Sequence, residues 1–143
     1  MKKYAFLLCL LICLVVVGCG KNKRLVGKVT FTDGTPAPSG MVVFRKDNFM
    51  ARGEIQPNGS YKMSSEGNND GLPPGEYKVY IQGMAAMPAS APTNPRLTTQ
   101  MVLPVLLCDP KYTDPDTSGL TCTVPAPRNR FDIVLEPNPK NSP

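Results

Sequence analysis

The side chains best suited to bind a metal ion lie close together in the C-terminal third of the sequence. Asp109, Asp114 and Asp116 all fall within the short stretch DPKYTDPD. Carboxylate oxygens at such spacing can hold a calcium ion, so one interpretation is a calcium site. The stretch lacks the spacing of a defined calcium loop, and aspartate is also common in turns because its carboxylate accepts backbone hydrogen bonds. Both interpretations stay open at this point.

Histidine is absent from all 143 residues. The chain therefore lacks the most common general base, the most common transition-metal ligand and any Ser-His or Cys-His nucleophile pair. We predict that the protein is not an enzyme and carries no cofactor. The 16 basic residues exceed the 11 acidic ones, but they are scattered along the sequence. We read them as solvated surface and expect no nucleic-acid partner.

The N-terminal segment has the pattern of an export signal. A short basic start, Met1 to Lys3, is followed by an apolar run of 13 residues from Ala5 to Val17. This run suits the core of a signal peptide and is short for a membrane span, which needs about 20 residues. The alternatives are an uncleaved apolar anchor and an ordinary secretory signal.

The run ends in VVGC, residues 16–19, which resembles the lipobox of bacterial lipoproteins. That resemblance implies cleavage before Cys19, with Cys19 as the lipid-bearing first residue of the mature chain. Several acyl chains hold a protein firmly at a membrane, whereas one does so only marginally. In some bacteria, an aspartate directly after the lipid-bearing cysteine retains a lipoprotein in the inner membrane. Here Gly20 follows Cys19, so the outer membrane is favoured over the inner one. We expect a signal peptide over residues 1–18 and a lipidated tether over 19–24.

Cys108 and Cys122 are the cysteines that remain beyond Cys19. A disulfide is natural in an oxidising envelope, and closing this loop would contribute about 3 kcal/mol on the chain-entropy model. We predict that the two are bonded. The alternative is two independent small apolar side chains, with Cys122 facing inwards.

The body of the chain reads as short strands separated by turns. Alternation of apolar and polar residues indicates strands in LVGKVTF, MVVFR, GEYKVYIQ, GLTCTV and RFDIVLE, and Asn58-Gly59 indicates a hairpin within Arg52–Ser64. The predicted core consists of twelve apolar residues: Val29, Phe31, Val43, Ile55, Tyr61, Tyr77, Val79, Ile81, Leu120, Phe131, Ile133 and Leu135. We predict an all-β fold, a single antiparallel β-sandwich of about seven strands.

Three stretches together resemble carboxypeptidase-regulatory-like domains: VGKVTFTDGTPAPSGMVVF, GEIQPNGSYKM and LPPGEYKVYI. The later KYTDPDTSGLTCTV and NRFDIVLE resemble the C-terminal part of small bacterial lipoproteins with such a domain. The resemblance covers Leu25 to Glu136 except the segment Met84–Gln100. It implies a transthyretin-like (prealbumin-like) sandwich without enzymatic activity. The related hydroxyisourate hydrolases and intradiol dioxygenases both depend on histidines, so neither activity carries over to this chain.

These observations divide the chain into a signal peptide (1–18), a tether (19–24), a β-sandwich (25–136) with a flexible insertion loop (83–100), and a disordered tail (137–143). We expect a membrane-anchored envelope lipoprotein whose sandwich is a binding or structural module. Its partners would be another envelope protein or a cell-surface polymer, contacted through Met84–Gln100 and Lys111–Thr117 because loops on a rigid scaffold usually carry recognition. The alternative is a calcium-binding or transport-accessory lipoprotein.

Overall fold

A computed structural model of the protein describes residues 22–65, 71–87 and 103–141. This part of the chain is mostly β-structure, with three short 3₁₀ helices at Pro110–Thr113, Pro127–Asn129 and Pro139–Asn141. No helix in these ranges is long and apolar enough to span a membrane. The strands are β1 (Val26–Phe31), β2 (Met41–Lys46), β3 (Phe49–Glu54), β4 (Ser60–Lys62), β5 (Gly75–Gln82), β6 (Ala85–Ala86), β7 (Val105–Leu106), β8 (Leu120–Val124) and β9 (Ile133–Leu135).

A four-stranded antiparallel sheet has the order β3-β2-β5-β8. Its longest strand, β5, is the one with the clearest alternation in sequence, and its inward side chains Tyr77, Val79 and Ile81 are all buried. The pairing of β2 with β3 begins at Lys46 opposite Phe49, so the chain reverses over Asp47 and Asn48. Neither this tight turn nor the start of β3 is predicted from the sequence.

A three-stranded sheet has the order β4-β1-β9. β1 pairs antiparallel with β4 but parallel with β9, where Val29 lies opposite Ile133 and Phe31 opposite Leu135. The expectation of a purely antiparallel arrangement is therefore wrong at this edge. Parallel strands need a long crossover connection, and here the chain visits the four-stranded sheet between β1 and β9.

The Asn58-Gly59 turn is present, but it joins the two sheets instead of closing a regular hairpin. Its backbone is closed by the Gln56 carbonyl, which accepts from Gly59 N–H at 2.7 Å, and Gly59 has φ +81°. The strand after the turn pairs with β1, so backbone hydrogen bonding between the two arms is limited to Gln56 N–H with the Ser60 carbonyl and a bridge between Arg52 and Ser64. The local sequence predicted the turn correctly but not the partner of the strand that follows it.

One hydrophobic core receives side chains from both sheets. Nine of the twelve predicted core residues are buried, and Phe31, Leu120 and Phe131 are half-buried against the cluster. Phe44 of the four-stranded sheet meets Phe131 near the end of the other sheet, with ring centroids 6.0 Å apart. The edge-to-face angle of 81° is a favourable geometry for aromatic rings.

Tyr61 crosses this core beneath β1. Its ring is buried, and its hydroxyl donates a hydrogen bond to the Phe131 carbonyl at 2.5 Å. The ring fits because residue 27 is glycine: a Cβ there would lie 2.7 Å from the Tyr61 ring and 1.8 Å from the Phe131 oxygen. Gly27 is thus required by close packing within a strand, which holds the three-stranded sheet together from its inner side.

Two segments expected to be irregular are partly ordered. Within the predicted insertion loop, Met84 is buried and Ala85–Ala86 pairs with Val105–Leu106; residues 88–100 lie outside the described residues. In the predicted disordered tail, Asn138 is buried, and its side-chain amide donates to the Leu106 carbonyl at 3.0 Å. The expectation of disorder is wrong for residues 137–141, because backbone and side-chain hydrogen bonds tie them to the segment after β7.

Candidate functional site

Cys19 and the predicted signal peptide lie outside the described residues. The folded body begins close to that cysteine, because Lys23 already forms a backbone bridge with Leu72. Lys23 N–H donates to the Leu72 carbonyl at 2.7 Å, and Leu72 N–H donates back at 2.9 Å. The tether predicted over 19–24 therefore ends by Lys23. An extended chain of four residues spans at most about 14 Å, so the body cannot lie farther than that from Cys19.

The three aspartates of the candidate calcium site do not converge. Asp109 Oδ1 accepts from Lys111 N–H at 2.9 Å and begins the 3₁₀ helix, and Asp114 Oδ1 accepts from Asp116 N–H at 2.7 Å. Asp116 instead accepts a hydrogen bond from Lys78 Nζ at 2.5 Å. In the described ranges, no three Asp, Glu, Cys or His side chains are placed to hold a metal ion. The positions of these residues therefore give the calcium prediction no support: Asp109 and Asp114 accept hydrogen bonds in turns, and Asp116 pairs with lysine.

We call residues 109–118 the cover segment, because they lie against the four-stranded sheet. Its 3₁₀ helix contacts β5, and the buried Ser118 hydroxyl donates to the Val79 carbonyl at 2.6 Å. The Lys78–Asp116 ion pair adds a second link to β5, and that hydrogen bond is the main reason why the pKa of Asp116 lies below its usual value. The cover segment is therefore fastened at both its middle and its end.

A further ion pair fastens the start of the cover segment. Lys111 Nζ pairs with Glu136, just after β9, and also lies 4.9 Å from the centre of the Tyr112 ring. The Thr117 hydroxyl donates to the Lys111 carbonyl at 2.7 Å, which closes the loop on itself. The residues predicted as a contact loop, Lys111–Thr117, are thus held by several internal bonds.

The predicted disulfide is not formed. Cys108 and Cys122 are both free thiols and both buried. Cys108 forms a backbone bridge with Pro137, whereas Cys122 lies in β8 opposite Tyr77, and both side chains belong to the hydrophobic core. Burial raises the pKa of both thiols, that of Cys122 to about 11. They are neutral at physiological pH and act as small apolar side chains, the alternative that the sequence left open.

Under the edge of the cover segment lies a groove of about 460 Å³. Arg45, Lys78 and Thr121 form one row across β2, β5 and β8 at its floor, and Pro115 and Asp116 form its rim. Asp47 and Glu76 bring additional negative charge, so basic and acidic side chains are balanced along its lining. This mixed, open groove has no grouping of side chains that is specific for one ligand chemistry.

The outer face of the three-stranded sheet is different, and we call it the bare face. Strand alternation places Val26, Lys28 and Thr30 of β1 outwards, with Lys62 of β4 opposite Val26. On the other side of β1, Arg130 forms a bridge with Val26. A shallow groove of about 820 Å³ runs over this face, and Lys28, Lys62 and Arg130 are among its lining residues.

The sequence alone does not reveal this grouping, because its members are far apart in the chain. Alternation alone places Lys28 outwards, but it gives no sign that residues 62 and 130 flank β1. That neighbourhood depends on the antiparallel pairing with β4 and the parallel pairing with β9. Three basic residues that are far apart in sequence, Lys28, Lys62 and Arg130, are therefore gathered on one surface.

Comparisons with known proteins add no relative. No family model matches the chain, and neither a curated protein nor a solved structure matches it.

Proposed function

We propose that this protein is a lipid-anchored protein of the bacterial cell envelope, attached through Cys19, with a β-body that serves as a non-catalytic binding or structural module. The observation that carries the proposal is the N-terminal sequence, in which a basic start and a 13-residue apolar run end in VVGC. The outer membrane is the favoured location. Another envelope protein or a cell-surface polymer is the expected partner.

The arrangement of the body supports a transthyretin-like sandwich of the carboxypeptidase-regulatory-like kind. Two sheets share one core, and the strands follow the order of the motifs from VGKVTF to RFDIVLE. The resemblance predicts a rigid support for surface recognition, without its own chemistry. A parallel pair at the edge of a mostly antiparallel sheet is compatible with such a support.

The hydrogen bonds, ion pairs and burial of the reactive side chains favour a non-catalytic module. The aspartates of the cover segment accept backbone hydrogen bonds or pair with lysine, and both described thiols are buried and neutral. A nucleophile needs a neighbouring base or a lowered pKa, whereas burial shifts these thiols in the opposite direction. The calcium-binding alternative receives no support from the positions of the aspartates.

The leader itself provides a matched test of the anchor, because it holds a second cysteine near Cys19. We would express the full chain, Cys19→Ala and Cys13→Ala in a bacterial host with an alkyne-bearing fatty acid. The wild type and Cys13→Ala are expected to incorporate the fatty acid and to sediment with membranes. Cys19→Ala is expected to incorporate none. Fatty-acid incorporation by Cys19→Ala equal to that of the wild type would overturn the proposal.

A further inference from the structure

We propose that the bare face of the three-stranded sheet rests on an anionic lipid surface. This inference builds on the proposed function, since the lipid anchor would bring the body to the membrane. It adds which side of the body faces the bilayer and which chemistry recognises it.

The register of the strands arranges the outward side chains of the bare face in rows. Lys62, Val26 and Arg130 form one row across β4, β1 and the segment that precedes β9. In the next row Lys28 lies between Ser60 and Asp132, whose Oδ1 accepts from Lys28 N–H at 2.8 Å. Side chains in one row of a sheet are close neighbours, so the basic groups form a continuous patch.

The patch carries a net positive charge. Arg24 extends it, because Arg24 and Lys62 line the same small groove at the start of β1. Three acidic groups face it: Asp132, which pairs with Arg130 at 2.7 Å, Glu54 at the rim, and Glu136, which follows Val134 by two positions and pairs with Lys111. Among the described residues, no ion pair involves Arg24, Lys28 or Lys62. Each basic residue near an anionic membrane contributes about 1 kcal/mol of attraction.

Exposed apolar side chains lie among these cations. Val134 is 57% exposed and Val26 is 38% exposed, although both are large aliphatic residues in strands. Val134 lies opposite Thr30, one row beyond Lys28. A surface that alternates aliphatic and basic side chains matches the interfacial region of a bilayer, where apolar groups meet anionic headgroups.

The anchor and the bare face are close in the chain. Lys23 is fixed to Leu72, and β1 begins three residues later with Val26. The reach from Cys19 to Lys23 is at most about 14 Å, a distance comparable to the depth of the headgroup region and its adjacent charged layer. Lys21, Lys23 and Arg24 add further positive charge along that connection.

The orientation can be read with tryptophan, since the chain contains none. We would purify the processed full chain as Val134→Trp and as Met50→Trp, a control that is 40% exposed on β3 of the other sheet. Each would be bound to vesicles of phosphatidylcholine alone or mixed equally with phosphatidylglycerol, with a nitroxide quencher on the headgroups. We expect strong quenching of Val134→Trp on the anionic vesicles, little on the neutral ones, and little for Met50→Trp on either.

Charge reversal tests the cause of that contact. Lys28→Glu combined with Lys62→Glu in the Val134→Trp background should lower the ratio of docked to undocked protein at least about 25-fold, since each cation contributes roughly fivefold. Arg45→Glu combined with Arg52→Glu makes the same charge change on exposed residues of β2 and β3. That control should leave the quenching unchanged, and circular dichroism would verify that both variants are folded.

Equal quenching of Val134→Trp and Met50→Trp would overturn the inference, and so would quenching that is insensitive to charge reversal at Lys28 and Lys62. The acyl content of the same samples is measured by mass spectrometry, so the two proposals fail separately. Acyl chains without selective quenching contradict only the docking surface. Selective quenching of a chain without acyl groups contradicts only the anchor.

Discussion

The outer faces of the two sheets differ in what lies on them. The four-stranded sheet carries the cover segment, which is fastened by Ser118, by the Lys78–Asp116 pair and by Lys111 with Glu136. The three-stranded sheet has a row of exposed aliphatic and basic residues on its outer face. The outer face of the four-stranded sheet is thus partly covered by its own chain, whereas Val26, Lys28 and Val134 of the three-stranded sheet are exposed and available to a partner.

Residues that are close in sequence and residues that are close in space give different candidates for a binding surface. Asp109, Asp114 and Asp116 are near one another in the chain, yet each is bonded to a different partner. Lys28, Lys62 and Arg130 are far apart in the chain, yet strand pairing makes them neighbours. The acidic residues that suggested a binding site hold the cover segment in place, whereas cations that are distant in sequence lie together on the bare face.

The largest expected effect concerns the inner side of the bare sheet. Gly27→Ala would place a Cβ 1.8 Å from the Phe131 oxygen and against the Tyr61 ring, so β1 or Tyr61 must move. We expect a loss of about 3 kcal/mol or more in the free energy of unfolding, measured by urea denaturation. Gly34→Ala is the control, because its Cβ would meet no atom within 4 Å and only its φ of +85° opposes the change. Equal losses for the two variants would contradict the packing argument.

A smaller effect is expected when the cover is loosened. Ser118→Ala removes the buried hydrogen bond to the Val79 carbonyl and should cost about 1 kcal/mol of unfolding free energy. Amide hydrogen exchange over residues 109–118 should rise, while that of β1 stays constant. Thr117→Val removes an exposed hydroxyl that bonds only within the loop, and serves as the comparison. Unchanged exchange in Ser118→Ala would show that the cover is held by other contacts.

The two faces can be compared through a single charge. Asp132→Asn retains an oxygen for the Lys28 N–H bond but removes a negative charge from the bare face. In the Val134→Trp background, the docked fraction on anionic vesicles should increase, with the ratio of docked to undocked protein rising about fivefold. Asp116→Asn makes the same charge change on the covered face and should have no such effect. Equal increases would indicate attraction by net charge without a preferred face.

The smallest expected effect is a change in the hydrogen exchange of the cover segment at low pH. The hydrogen bond from Lys78 holds the pKa of Asp116 below its ordinary value of 3.8 in the folded protein. The stability that this carboxylate contributes is therefore fully present above the pKa of Asp116 in the unfolded chain. It is lost as the pH falls through the pKa of Asp116 in the folded protein. Hydrogen exchange in residues 109–118 should rise slightly below pH 4, where Asp116→Asn should show less of this response. A response of equal size in Asp116→Asn would assign it to another group.

Much of the body could be predicted from local pattern, because β5, β8 and the core positions of β1 alternate clearly. Val29, Val79 and Ile133 were expected in the core and are buried there. The parallel pairing of β1 with β9 could not be predicted, since it joins residues about one hundred positions apart. The ordered structure of residues 137–141 could not be predicted for a similar reason. The Asn138 side chain bonds to Leu106 in β7, a two-residue strand directly after Pro104 that has no clear sequence pattern. The grouping of cations depends on the pairing of β1 with β4 and with β9, which is also non-local.

The lipid anchor at Cys19 is tested most directly by the intact mass of the membrane-extracted protein, alkylated after denaturation without prior reduction. The account predicts a chain that begins at Cys19, carries acyl groups, and gains two alkyl adducts at Cys108 and Cys122. A mass that retains Met1, or one without acyl groups, would contradict the anchor on which the account depends. A chain with acyl groups but without alkyl adducts would instead contradict the free thiols of the core.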